Sequence, residues 1–376
     1  METLEKITTN WVSLTHTLGK TFAERAAHYD NSGEFVHENY KQLKAHDYFS
    51  ILIPKEFGGA GLPYSEVCDI IRIMGQYCGS TALAFSMHQH LVAATVWKYI
   101  HKGEGGPLLQ KVTDHQIVLV STGARDWLGS NGEMTKVEGG YLVNAKKHFA
   151  SQSAGGDVAV TSAPFLNKFG ESKVLHFAVP FSAEGVKVLD DWDVIGMRGT
   201  GSQTIEFNNV FVPDTAIALE RPQDEFHPVW NLVITVALPL VMSAYVGIAE
   251  RAQQIAINIG KKYGRNQKHM PYIIGKMNND LMSAQCQLKC MIDRTNNFDF
   301  ELNKTISGEM ATLKTNVADA CISTVAQAME GIGGQSFYKK NELERLFRDV
   351  QASQFHPMPK WDQYEFMGEI LLSPEN

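Results

Sequence analysis

The run VIGMRGTGSQTIEFNNVFVP, residues 194–213, decides how the chain divides. Its first half is a loop rich in glycine. Its second half alternates, with Ile205 and Phe207 set against Thr204, Glu206 and Asn208. A period of two puts one face of a β-strand on a core. VLHFAVPF (174–181) continues that pattern, and in MTKVEGGYLVNAKKHFA (134–150) Gly139-Gly140 between two strand-like runs predicts a hairpin. IVLVST (117–122) is short and β-branched, as a buried strand is. The middle of the chain is therefore a compact β-domain, residues 116–220.

On both sides of it the period changes. In residues 1–115, Val67, Ile70, Ile71, Ile73 and Met74 recur at helical spacing, as do Leu83, Met87, Leu91 and Ala94. IPKEFGGAGLP (53–63) is a loop between helices, punctuated by two prolines and three glycines. In residues 221–376, Tyr245, Ile248, Ala249, Ala252, Ile255 and Ala256 mark one face of a long helix, and 317–329 mark another. Helices, β-domain, helices is an α+β order, not the alternation of a dinucleotide-binding sheet.

Of the 376 residues 44% are hydrophobic and 20% charged, which are globular proportions. A net charge of −7 argues against a nucleic-acid surface or a basic membrane patch. The longest apolar run, Leu232 to Ile248, is interrupted by Pro239, Thr235, Ser243 and Tyr245, so a membrane span is not expected. The first twenty residues lack a secretory pattern. Five cysteines without regular spacing read as reduced thiols of a cytoplasmic protein. Cys286 and Cys290, one turn apart, are expected to pack inside a helix bundle, since nothing nearby completes a metal site.

Five ordered motifs carry a resemblance: IPKEFGGAGLP, LVSTGARDWLGSNG (119–132), NAKKHFASQS (144–153), the 194–213 run, and MEGIGGQSF (329–337) with ERLFRDV (344–350). Together they resemble the acyl-CoA dehydrogenase superfamily over essentially the whole chain. The resemblance implies an N-terminal helical domain, a middle β-domain and a C-terminal four-helix bundle, a homotetramer, and FAD (or FMN) between the last two domains. A flavin ring needs a flat apolar wall and donors at its pyrimidine edge. Phe149, Ala150 and Ser151 suit the wall and one donor, Thr122 and Gly123 suit others, and Arg198 of the glycine-rich loop is a further cofactor-binding candidate. Gly333-Gly334 would let backbone N–H groups approach a phosphate of a neighbouring subunit's cofactor.

The chain departs from that family where the chemistry sits. The family's catalytic glutamate falls on Pro357 in RDVQASQFHPMP (348–359), preceded by His356 at the tyrosine position. The alternative site for the base falls on Trp230 and Asn231, and Glu365 and Glu369 read as a solvated helix face. Gly260 and Pro271 stand where an Arg and a Gln usually hold the adenylate, which brings in FMN. The two-component flavin monooxygenases of the superfamily also lack the glutamate. They take reduced flavin from a separate reductase and form a flavin C4a-hydroperoxide. Resemblance to them implies catalytic roles for His356 and for His88, whose neighbour His90 lies on another side of the same helix. An acyl-thioester dehydrogenase with an unidentified base, passing electrons to an electron-transfer flavoprotein, is the second reading. A non-catalytic flavin- or acyl-binding protein is the third.

Overall fold

A computed structural model describes residues 9–123, 128–263 and 269–373. Among the described residues five α-helices come first: α1 Trp11–Ser32, α2 His37–Ala45, α3 Tyr64–Tyr77, α4 Gly79–Lys102 and α5 Gly106–His115. Eight strands follow: β1 Leu119–Ser121, β2 Glu133–Val137, β3 Gly140–Lys147, β4 Val158–Leu166, β5 Ser172–Pro180, β6 Val186–Val188, β7 Ile205–Pro213 and β8 Ile217–Pro222. Five more helices close the chain: α6 Val229–Tyr263, α7 Met270–Thr295, α8 Lys304–Ile332, α9 Glu342–Val350 and α10 Lys360–Leu372.

The strands form two four-stranded sheets, in the orders β1-β4-β5-β8 and β2-β3-β7-β6. The hairpin expected at Gly139-Gly140 joins β2 to β3, with Val137 opposite Gly140. Val143, Ile205, Phe207, Val210 and Val212 from one sheet meet Val120, Ala159, Leu175 and Phe177 from the other, a core belonging to the β-domain alone.

The two helical regions, separated in sequence by the whole β-domain, share one core instead. Val67, Ile70, Ile71 and Met74 of α3 are fully buried with Tyr245, Ile248, Ala249 and Ala252 of α6. The helices touch backbone to backbone. A Cβ on Gly75 would lie 2.4 Å from the Ala244 carbonyl oxygen, and one on Gly247 would lie 2.1 Å from the Arg72 carbonyl oxygen. Only glycine permits so close a crossing. Pro239 interrupts the hydrogen-bond ladder of α6 without ending it, and Tyr64 of α3 donates its hydroxyl to the Val236 carbonyl in the preceding turn (2.7 Å). α6 is long and apolar enough to cross a membrane, but 83% of its most apolar window is buried inside the protein.

One expectation fails here. Cys286 is exposed and Cys290 half-buried, on the outward face of α7, because the inward face is already filled by Met277, Leu281, Ala284, Leu288 and Met291. No group of three metal-ligating side chains occurs among the described residues.

Candidate active site

The loop 190–204 is built around its own polar side chains. Gln203 Oε1 accepts from the backbone N–H of Asp191 and of Trp192, both at 2.7 Å. Thr200 donates to the Met197 carbonyl (2.8 Å), and Ser202 sits 2.8 Å from Thr200 and 3.0 Å from Ser151. The segment after β3 is fastened to this loop by Gln152 N–H to Thr200 O (2.8 Å) and Ser153 Oγ to Gly201 O (3.1 Å). The buried Gln152 side chain extends the brace, donating to Leu119 O (2.8 Å) and accepting from the Tyr40 hydroxyl (2.5 Å).

That bracing holds Phe149 in a left-handed conformation (φ 56°), and the residue is 54% exposed. The ring stands edge-on to Trp192, centroids 6.1 Å apart. A bulky residue at positive φ with an exposed aromatic face is strained and unsatisfied by the protein alone. Ala150 beneath it is buried, while Ser151 is half-exposed beside it. An aromatic wall with a hydroxyl at its margin fits a planar heteroaromatic ring. Thr122 is buried against Thr161 (Oγ1 to Oγ1, 2.8 Å), and Gly123 donates to Ser121 Oγ at 3.4 Å. Residues 124–127 of the same motif lie outside the described residues.

Arg198 turns elsewhere. It donates to Asp30 O (2.7 Å), Val194 O (2.7 Å) and Asp193 Oδ1 (3.1 Å). Arg348 of α9 meets the same helix end, donating to both carboxylate oxygens of Asp30 (2.8 and 2.6 Å) and to Ile195 O (2.7 Å). The two arginines thus join α1, the 190–204 loop and α9 in one knot, a bracing task for Arg198. Gly333 and Gly334 lie exposed at the end of α8, Gly333 at φ 72°, with nothing within 4 Å of a Cβ at either.

His356 follows the turn after α9, and its Nε2 lies 2.6 Å from the hydroxyl of Tyr245 on α6. Burial, and secondarily the charge of Lys314, pull its pKa down to about 3, so the ring is neutral. Burial also raises the Tyr245 pKa well above the usual phenol range. Asp349, the one carboxylate among the buried described residues, accepts from Met197 N–H, and burial pushes its pKa up to about 6. It also lies close enough to Tyr245 to act on its ionisation. Asp349 thus ties loop 190–204 to α9, while Tyr245 and His356 form a separate pair within reach of its charge.

His88 is placed otherwise than expected. Its Nε2 donates to Phe49 O (2.8 Å) and its Nδ1 accepts from Leu119 N–H (3.0 Å), so the fully buried ring stitches α4 to the segment before Ser50 and to β1. No ring nitrogen is left for a substrate. Burial lowers its pKa to about 4. His90, also buried, keeps an Nδ1 without a partner among the described residues. At the alternative position for a family base, Trp230 is buried and Asn231 accepts from Ser307 (2.8 Å); Glu365 and Glu369 are exposed. Sequence reasoning had Tyr245 only as part of a helix face and did not single out Lys314. Each is a polar side chain on the packed face of an otherwise apolar helix turn, and that was the available signal.

The family models for the acyl-CoA dehydrogenase N-terminal and C-terminal domains match residues 14–102 and 240–361. A curated relative, the putative acyl-CoA dehydrogenase YdbM of Bacillus subtilis, is 23% identical over 92% of both chains. Dibenzothiophene monooxygenase of Mycolicibacterium goodii is 24% identical over 91% of this chain and 88% of its own. Among solved structures, KijD3 in complex with FMN and a dTDP-linked sugar superposes with a TM-score of 0.87 at 20% identity, covering 98% of this chain and 95% of its own.

Proposed function

Because the chain belongs to the acyl-CoA dehydrogenase superfamily, on matches to both of its helical domains, we propose that it is a flavin-dependent monooxygenase of that superfamily. It acts on a small molecule and receives reduced flavin from a separate reductase. The observation that carries this is the His356–Tyr245 pair, 2.6 Å apart, next to Pro357 where a dehydrogenase would hold its glutamate. Dehydrogenation needs a carboxylate free to take a proton from carbon, and the buried acid here, Asp349, is spent on the Met197 N–H. A neutral imidazole suits a reaction in which a proton is held near oxygen. Dibenzothiophene monooxygenase, similar along nearly its full length, supports the same class, and the FMN complex of KijD3 supports a flavin in this fold.

A buried hydroxyl must place its proton, and Tyr245 has His356 as its partner, so Tyr245 donates to Nε2 and the His356 proton sits on Nδ1. Bound flavin would supply the oxygen activation. Phe149 and Trp192 would cover its ring, and Ser151 and Ser202 would lie at its edge. FMN is the flavin favoured, since Gly260 replaces the arginine expected to hold an adenylate. Gly333, Gly334 and the exposed Phe337 and Tyr338 beside them suit the subunit contact of a homotetramer. The five free thiols suit a cytoplasmic location.

The test is reduced FMN, supplied by a generic flavin reductase, mixed with oxygen and the protein. The parent should bind FMN and slow the release of hydrogen peroxide, and His356→Ala should release it at least 100-fold faster, the order of effect of one lost acid-base group. Equal release from parent and variant would remove His356 from the chemistry. Binding of neither FMN nor FAD tighter than about 1 mM in either redox state would remove the whole reading.

A further inference from the structure

Lys314 has no part in the flavin wall and none of a surface lysine's surroundings. It projects from the middle of α8 with 1% of its surface exposed. Its Nζ donates to the Gln354 carbonyl and to the Met358 carbonyl, each at 3.2 Å. Those two carbonyls stand two residues before and two residues after His356. A buried ammonium is costly unless its donors are used, and burial lowers the Lys314 pKa to about 8. Methionine or leucine would fill the same space between α8 and the loop without that cost.

We propose that Lys314 is a positioning residue for His356, clamping the 354–358 loop so that the imidazole turns Nε2 to Tyr245 and Nδ1 away from it. The proposal rests on the functional reading of His356 for its purpose but not for its geometry. Residues 356–359 have no regular hydrogen-bond ladder of their own: the 3-10 turn Gln351–Phe355 ends at His356, and α10 begins at Lys360. Prolines at 357 and 359 have no N–H to donate. The loop's shape must therefore be fixed through its carbonyls. A three-donor ammonium fixed on a long helix is suited to that.

The clamp also sets the ring's charge. Facing His356 are Tyr245 on α6 and Lys314 on α8, with Asp349 of α9 behind Tyr245 and held among Arg345, Arg348 and Asp30. Asp319 and Lys360, which act on Lys314, are paired with each other at 2.7 Å on the surface. A positive charge beside a buried imidazole opposes its protonation, so Lys314 adds to the burial that keeps His356 in the neutral form with one donor and one acceptor.

The experiment follows the imidazole itself in the full-length chain labelled with 13C at histidine Cε1, the His356 signal being assigned by its loss in His356→Asn. Lys314→Met and Lys314→Gln remove the charge; Lys314→Arg keeps it. Gln, which keeps a donor at similar reach, covers the case in which Met prevents folding. Loss of the charge should raise the His356 midpoint by about one unit and change the ring's shift at neutral pH, and Arg should restore both. A folded Lys314→Met or Lys314→Gln whose His356 midpoint and shift match the parent's overturns the proposal. If the midpoint moves while His356→Ala leaves peroxide release unaltered, the positioning role stands and the functional reading of His356 falls.

Discussion

Lowering the pH should strip stability through His88 in a way that can be isolated from every other histidine. The group is fully buried with both nitrogens committed to backbone, and its folded pKa is about 4 against an ordinary value of 6.5 in the unfolded chain. A depressed histidine pKa means that the unfolded chain takes up the proton more readily. The stabilisation is thus fully present above pH 6.5 and is lost as pH falls from 6.5 through 4. At 1.36 kcal/mol per unit, the loss is about 2 kcal/mol by pH 5. His88→Leu removes this titration but leaves the Phe49 carbonyl and the Leu119 N–H unpaired, at a cost of about 3 kcal/mol at pH 7.5. His90, His176 and His356 titrate in both proteins and cancel. The gap between parent and variant in urea-unfolding free energy should therefore narrow from about 3 to about 1 kcal/mol between pH 7.5 and pH 5. A gap that stays constant or widens would refute the assignment of His88 as a neutral backbone stitch. Peroxide retention per folded molecule should be the same in both.

Three further outcomes follow from the packing. Gly247→Ala pushes a methyl into the Arg72 carbonyl and should cost about 3 kcal/mol in urea unfolding, where Gly368→Ala, with open space around it, should cost less than about 0.5. Asp30→Asn breaks the bidentate contact to Arg348, which retains Glu344, and should cost about 2 kcal/mol; a change below about 0.5 would mean that the knot is not held by charge. In the native protein a thiol reagent should titrate Cys286 quickly and leave Cys68, Cys78 and Cys321 until unfolding; early reaction of Cys321 would contradict its burial in α8.

The fold was legible in the sequence because the period of the apolar residues changes twice, and both the alternation at 205–208 and the 3.6-residue spacing at 67–74 mark faces that are in fact buried. Phe149 and Ser151 fall two and four residues past the end of β3, and the sequence did not announce the left-handed turn that exposes the Phe149 ring. His88 was not legible, because its partners are backbone groups of Phe49 and Leu119, and no residue type announces a backbone partner. Cys286 and Cys290 misled because a helix with an apolar stripe need not bury small thiols on its other side. Tyr245 and Lys314 met His356 only through tertiary contacts across α6, α8 and the last loop.

The glycine crossing of α3 and α6 also sets an order of events during synthesis. Gly75 leaves the ribosome 172 residues before Gly247. At about 5–20 residues per second, the apolar face of α3 waits for roughly ten to thirty seconds before its partner exists. The β-domain, whose core is its own, can fold in that interval. The N-terminal helices cannot complete theirs, and Val67, Ile70, Ile71 and Met74 remain a target for chaperones or for another chain's α6. Cutting the protein at its apparent domain edges would make that wait permanent.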